Sequence, residues 1–287
     1  MSSTDDTSRP AKLSAAKLAL LEKRLRGEAA DAHVPRVVPR ARAGDAAPLS
    51  FAQQRLWFLD RLSPGLPTYN IGVGLRLSNR LDARALERAF AEIVRRHEIL
   101  RARIVSADGV ASQVVVTNVD SPLETADLSS LADDEREAEL RRMVDAAAEH
   151  RFDLERGPLF RARLLKLGEE DHALLVTLHH IVGDGWSVGV MVSELAALYE
   201  AFAEGRPSPL AELPFQYADY AAWQRENLRG EVLERHLGYW REKLRGAPPV
   251  LELPADRPRP SKPTYVGARL RIRLSPLAAT GLNSLAE

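Results

Sequence analysis

The chain has 287 residues, 45% apolar and 28% charged, which suffices for one large domain or two lobes with cores of their own. Lys+Arg and Asp+Glu are both 40, so no charge excess points to nucleic acid or an anionic membrane as partner. With no cysteine, disulfides, thiolate nucleophiles and Cys-based zinc sites are excluded.

The first residues carry neither a signal-peptide core nor a cleavage site, and no run of about 18 apolar residues follows, so the expected compartment is the cytoplasm. Residues 1–46 read as a linker with one short helix. Ser14 can cap that helix, Leu18, Leu21 and Leu25 form its stripe, and Gly27 stops it. From 69 to 77, Tyr69, Ile71, Val73, Leu75 and Leu77 alternate as one face of a strand. Asp82 can cap the next helix, which turns Leu86, Phe90, Ile93 and Val94 inward. Strands are expected at about 100–105 and 112–119, and an amphipathic helix at 133–149. "PLFRARLLKL" and "HALLVTLHH" look like paired strands around a "GEED" turn. Helices follow through Met191, Leu195, Leu198 and Phe202, and through Leu233, Leu237, Trp240 and Leu244. Ala268, Leu270, Ile272 and Leu274 alternate as a further strand, and a last helical segment starts after Pro276. Strands and helices mix without a repeating β-α-β unit, which predicts α+β layers.

The stretch "LHHIVGDGWS" at 178–187 carries the chemistry. Strand alternation sends His179 and His180 to opposite faces, so they cannot converge on one metal, and a third ligand is missing. No metal is expected. Asp184-Gly185 reads as a turn with Gly185 free to take positive φ, and the helix beginning near Ser187 aims its N-terminus back at the strand end. A buried Asp184 would need a partner, most simply an arginine. One exposed imidazole, one buried imidazole and a braced turn suit acid-base or hydrogen-bonding chemistry on an acyl group; satisfied core or rim histidines are the alternative.

His-His-x-x-x-Asp-Gly resembles the signature of the condensation domains of nonribosomal peptide synthetases, within the chloramphenicol acetyltransferase-like superfamily. "LSFAQQRLWFLDRL" (49–62), "RRHEILRARI" (95–104) and "YADYAAWQRE" (217–226) resemble further motifs of that family, in its order. The resemblance covers about 47–287 and implies a two-lobe fold: residues 47–205 as a complete first lobe, 206–287 as connector and a second lobe only begun. It implies amide-bond formation between a carrier-bound aminoacyl or peptidyl thioester and the α-amine of a carrier-bound acceptor. The partners implied are upstream and downstream peptidyl carrier proteins and an adjacent adenylation domain. No cofactor is bound directly; phosphopantetheine arms on the carriers bring the substrates.

Carried onto this sequence, His180 would orient or deprotonate the amine, and Gly185 would offer its N–H to the oxyanion. His179 would be structural, and Asp184 would pair with Arg96 or Arg101. Gln53, Arg55, Trp186, Ser187, Tyr217 and Trp223 would shape lobes and tunnel, with core packing the alternative for Trp57 and Trp223. His179 in place of Asp disfavours heterocyclisation, Trp186-Ser187 disfavours epimerisation, and the first motif resembles the type joining L-configured donor to L-configured acceptor. With most of a second lobe missing, residues 1–287 alone are expected to transfer weakly or not at all. The alternatives are a truncated, inactive carrier-binding remnant, or another acyltransferase of the superfamily using coenzyme A thioesters.

Overall fold

A computed structural model describes residues 36–39, 46–117, 122–258, 270 and 272–286. The short helix expected after Ser14 lies outside them, as does part of the strand expected at 268–274, whose described residues are not in a strand.

In chain order the elements are β1 (Ala47–Pro48), α1 (Phe51–Leu62), β2 (Asn70–Ser78), α2 (Ala83–Arg96), β3 (Ala102–Ala107) and β4 (Val110–Val115). Then come β5 (Leu123–Asp127), α3 (Asp133–Ala148), β6 (Phe160–Lys166), β7 (Asp171–His179) and α4 (Gly185–Ala203). Last are α5 (Tyr217–Asn227), α6 (Gly230–Lys243) and α7 (Pro276–Ala286). As its position just before the apolar stripe predicts, Asp82 caps α2: its carboxylate accepts from the N–H groups of Arg84 at 2.9 Å and Ala85 at 3.0 Å. Two helices come from stretches that hydrophobic spacing does not mark. In α1, Phe51, Phe58 and Leu62 are exposed while Gln53 and Leu56 are buried; α5 buries the small Ala218 and Ala221 together with Asp219.

A small sheet has the order β1-β4-β3, and a larger one the order β2-β7-β6-β5. In the larger sheet β5 runs parallel to β6 and the other pairs are antiparallel. Strand β7 is an inner strand with both faces covered. On one face Leu174, Val176 and Leu178 join Phe90 and Ile93 of α2 and Met191, Leu195 and Leu198 of α4 in the main core. On the other, Ala173 and Leu175 pack with Leu165 and with Met143 of α3. Each fully buried Phe, Ile or Leu here contributes about 2 kcal/mol. The result is the expected α+β layering of helices, sheet and helix. No helix among the described residues is long and apolar enough to cross a membrane.

The chain divides into two compact units, the first ending at Arg235 and the second running from His236 to Glu287. Residues 206–235 lie in the first unit. Helix α5 is held there by Arg225, which donates to the Leu49 carbonyl at 2.7 Å and to Gln54 at 2.6 Å. Helices α6 and α7 bury no residue.

Candidate functional site

The site forms where β7 ends. Asn70 is paired with His179, and the His180 N–H donates to the Tyr69 carbonyl at 2.8 Å, which carries the pleat one residue past the strand. The two imidazoles therefore diverge. His179 is buried, at 3% exposure, while His180 is exposed and borders a cavity of about 660 Å³. The Ile181 N–H donates to His179 Nδ1 at 3.1 Å, so the neutral ring carries its proton on Nε2. Burial, with a smaller contribution from the neighbouring His180, lowers the His179 pKa to about 4.

After the histidines the chain turns through Gly183, where a Cβ would come within 2.6 Å of Leu178 Cδ1. Asp184 then caps α4. Its carboxylate accepts from the Ser187 N–H at 2.8 Å and the Ser187 hydroxyl at 2.7 Å, while the Asp184 N–H donates to Ser187 Oγ at 3.1 Å. These bonds, the Ser187 N–H first, hold the carboxyl below its ordinary pKa.

Two expectations are corrected here. Asp184 is exposed and capped rather than buried against an arginine. Arg96 instead donates to Glu194 at 3.1 Å and to the Ala211 carbonyl, and Arg101 to the carbonyls of Val94, Val116 and Arg95. An exposed carboxylate has water and a helix start to satisfy it, so no arginine is required. Nor does Gly185 take positive φ: it is the first residue of α4, and a Cβ there would meet open space.

The other wall of the cavity comes from α1 and α5. Gln53, 1% exposed, closes a capping box with Ser50 and donates from Nε2 to the Ile181 carbonyl at 3.3 Å. It also accepts from Gln113 at 3.3 Å. This buried amide pins the histidine turn to the start of α1. Tyr217 shares a 3.0 Å hydrogen bond with Ser50, and burial raises its pKa. Arg55 and Trp186 are both exposed and both border the cavity; Trp186 is 83% exposed. Ser187 and Tyr217 also border it, whereas Gly185 and Trp223 do not. Trp223 is half-buried and stacks on Tyr220 with ring centroids 5.9 Å apart, and Trp57 packs against the core.

Sequence reasoning missed Glu194, which takes up both Arg96 and His97, and Gln216, which bridges the Arg96 carbonyl at 3.0 Å and the Glu98 N–H at 3.1 Å. His97 stands inside "RRHEILRARI", but its partner lies 97 residues on, and no local pattern joins them. Among the described residues no group of three or more His, Cys, Asp or Glu could hold a metal ion.

Residues 43–287 match the Condensation domain family. One of the linear gramicidin synthase proteins of Brevibacillus parabrevis is 51% identical over 233 residues, 81% of this chain and 3% of that protein. Phosphinothricin tripeptide synthetase PhsC of Streptomyces viridochromogenes is 43% identical over 282 residues, 98% of this chain and 26% of that one. The chain thus spans a small part of either synthetase. Among solved structures, the X-domain from teicoplanin biosynthesis superposes with a TM-score of 0.69 at 31% identity, covering 80% of this chain and 50% of its own. The first condensation domain of the CDA synthetase does so with a TM-score of 0.61 at 26% identity, covering 71% and 52%. With the diverging histidines, the capped turn and all four motifs in one unit, this chain belongs to the condensation domain family.

Proposed function

We propose that this chain supplies the histidine-bearing part of a condensation domain that joins L-configured aminoacyl or peptidyl thioesters to the α-amine of a carrier-bound aminoacyl acceptor. The observation that carries the reading is His180: an exposed imidazole at a fixed strand end, beside a mostly apolar cavity and the N-terminus of α4. His180 orients the attacking amine. An α-amine has a pKa near 8, so its deprotonation before attack costs little near neutral pH, and positioning is the larger part of the task. The oxyanion that develops on the thioester carbonyl is met by the positive end of α4, whose residues Trp186 and Ser187 border the cavity. Phosphopantetheine arms of upstream and downstream carrier proteins deliver the two substrates, and a neighbouring adenylation domain loads the acceptor carrier.

The test is peptide transfer between two loaded carriers by a longer chain that includes the remainder of the domain. His180→Ala is expected to lower transfer about 10²–10⁴-fold with carrier affinity unchanged. Undiminished transfer would sink the assignment. Residues 1–287 alone are expected to transfer weakly, because His180 and Trp186 stand open to solvent where a site for an acyl thioester must exclude water.

A further inference from the structure

A second imidazole borders the same cavity. His97 follows the last residue of α2, and its Nε2 lies 2.6 Å from Glu194 Oε2. The other oxygen of Glu194 accepts from Arg96 Nε at 3.1 Å, so the carboxylate is the acceptor on both sides and the ring proton sits on Nε2. Arg96 is itself anchored to the Ala211 carbonyl. The ring is thus oriented from behind by a carboxylate that α4 and α2 hold in place. In the neutral ring the lone pair is on Nδ1, and among the described residues none bonds it.

The surroundings make that lone pair useful. Leu56, Ile93, Leu100, Leu178, Met191 and Phe215 give the cavity its apolar lining. Of the polar side chains that border it, Gln53 and Gln216 bond groups of the fold, Asp184 and Ser187 bond each other, and Tyr217 bonds Ser50. An N–H carried into such a space without an acceptor loses its hydration with nothing to replace it.

We propose that His97, oriented by Glu194, is a second hydrogen-bond acceptor in the cavity and takes an N–H of the carrier-borne substrate. The inference rests on the reaction proposed above. Two sources offer that N–H: the α-amine of the acceptor, and the amides of the pantetheine arm.

The test is calorimetric titration of the 287-residue protein with three thioethers. S-(2-aminopropyl)pantetheine carries both the amine and the amides, S-propylpantetheine the amides alone, and 2-(2-aminopropylthio)ethanol the amine alone. His97→Phe is expected to weaken the first by about tenfold. His97→Gln keeps a donor for Glu194 and a carbonyl acceptor, and should stay within about threefold of the unmodified protein. A loss confined to the two amine-bearing ligands assigns the N–H to the α-amine; one confined to the two pantetheines assigns it to the arm. In the unmodified protein the ¹⁵N resonance of His97 Nδ1 should also move on saturation, a readout that needs no variant to fold. An unmoved resonance, equal affinities with and without the imidazole, or no binding of any of the three overturns the proposal. Titration involves no transfer, so the two readings fail separately: a longer chain that transfers with His97→Phe unaffected keeps the reaction and loses this acceptor.

Discussion

His179 and His180 are adjacent and chemically identical, and the fold gives them opposite fates. The buried ring is neutral, and its burial ties stability to pH. Below about 6.5 the unfolded chain binds a proton that the folded chain does not take up until about pH 4. Folding is therefore fully supported by this residue above pH 6.5 and loses that support as the pH falls towards 4. The loss amounts to about 3 kcal/mol across the window. Urea unfolding at pH 7 and pH 4.5 measures it, and His179→Gln should show a slope shallower by most of that amount. An unchanged slope would mean that His179 titrates as if exposed. His180 is exposed at the cavity, which leaves it free to meet a ligand.

At the scale of the element, the first turn of α4 explains why the Asp-Gly pair follows the histidines at a fixed distance. Asp184 satisfies an orphan N–H of the helix and fixes where the helix begins. Asp184→Ala should cost about 1 kcal/mol of unfolding free energy, and Asp184→Asn much less, because an amide oxygen caps equally well. An ion pair with an arginine would make Asn as damaging as Ala, so comparing the two variants separates cap from salt bridge. Much of this was legible in the sequence. Asp82 stood before a clean apolar stripe, the β6–β7 hairpin surrounded a turn, and alternation separated the two imidazoles. The partner of Asp184 was not legible, because its need for an arginine followed from assumed burial, and exposure depends on the whole fold. The pairing of Glu194 with Arg96 and His97 was equally hidden, since it joins two helices far apart in the chain. Helix α5 escaped because its buried face is made of alanines, which give little hydrophobic contrast.

For the molecule as a whole, the first compact unit should hold most of the stability. Both hydrophobic cores lie within residues 49–210, whereas α6 and α7 bury nothing. A chain ending at Arg235 should keep the unfolding midpoint of the longer chain within about 0.5 kcal/mol. Ending it at Arg206 removes α5 with the partners of Ser50, Phe51 and the Leu49 carbonyl, and should cost at least about 2 kcal/mol. Circular dichroism during urea titration distinguishes the two. Equal losses would place a substantial part of the core beyond Arg235.

Strand β7 has a further consequence. Ala173 to Val176 and Leu178 are apolar on both faces, because the strand is covered on both. Such a run would bury itself nearly as well if it slid by one position, so its own hydrophobicity does not choose its alignment. That choice falls to the hairpin at Gly168–Glu170, closed by the Leu167 and Gly168 N–H groups on the Asp171 carbonyl at 2.8 Å and 3.0 Å. The turn acts as a ruler for the site some ten residues away. Deleting a single residue from it would leave the composition of the site untouched and exchange the two imidazoles, sending the inert ring to the cavity and the useful one into the core.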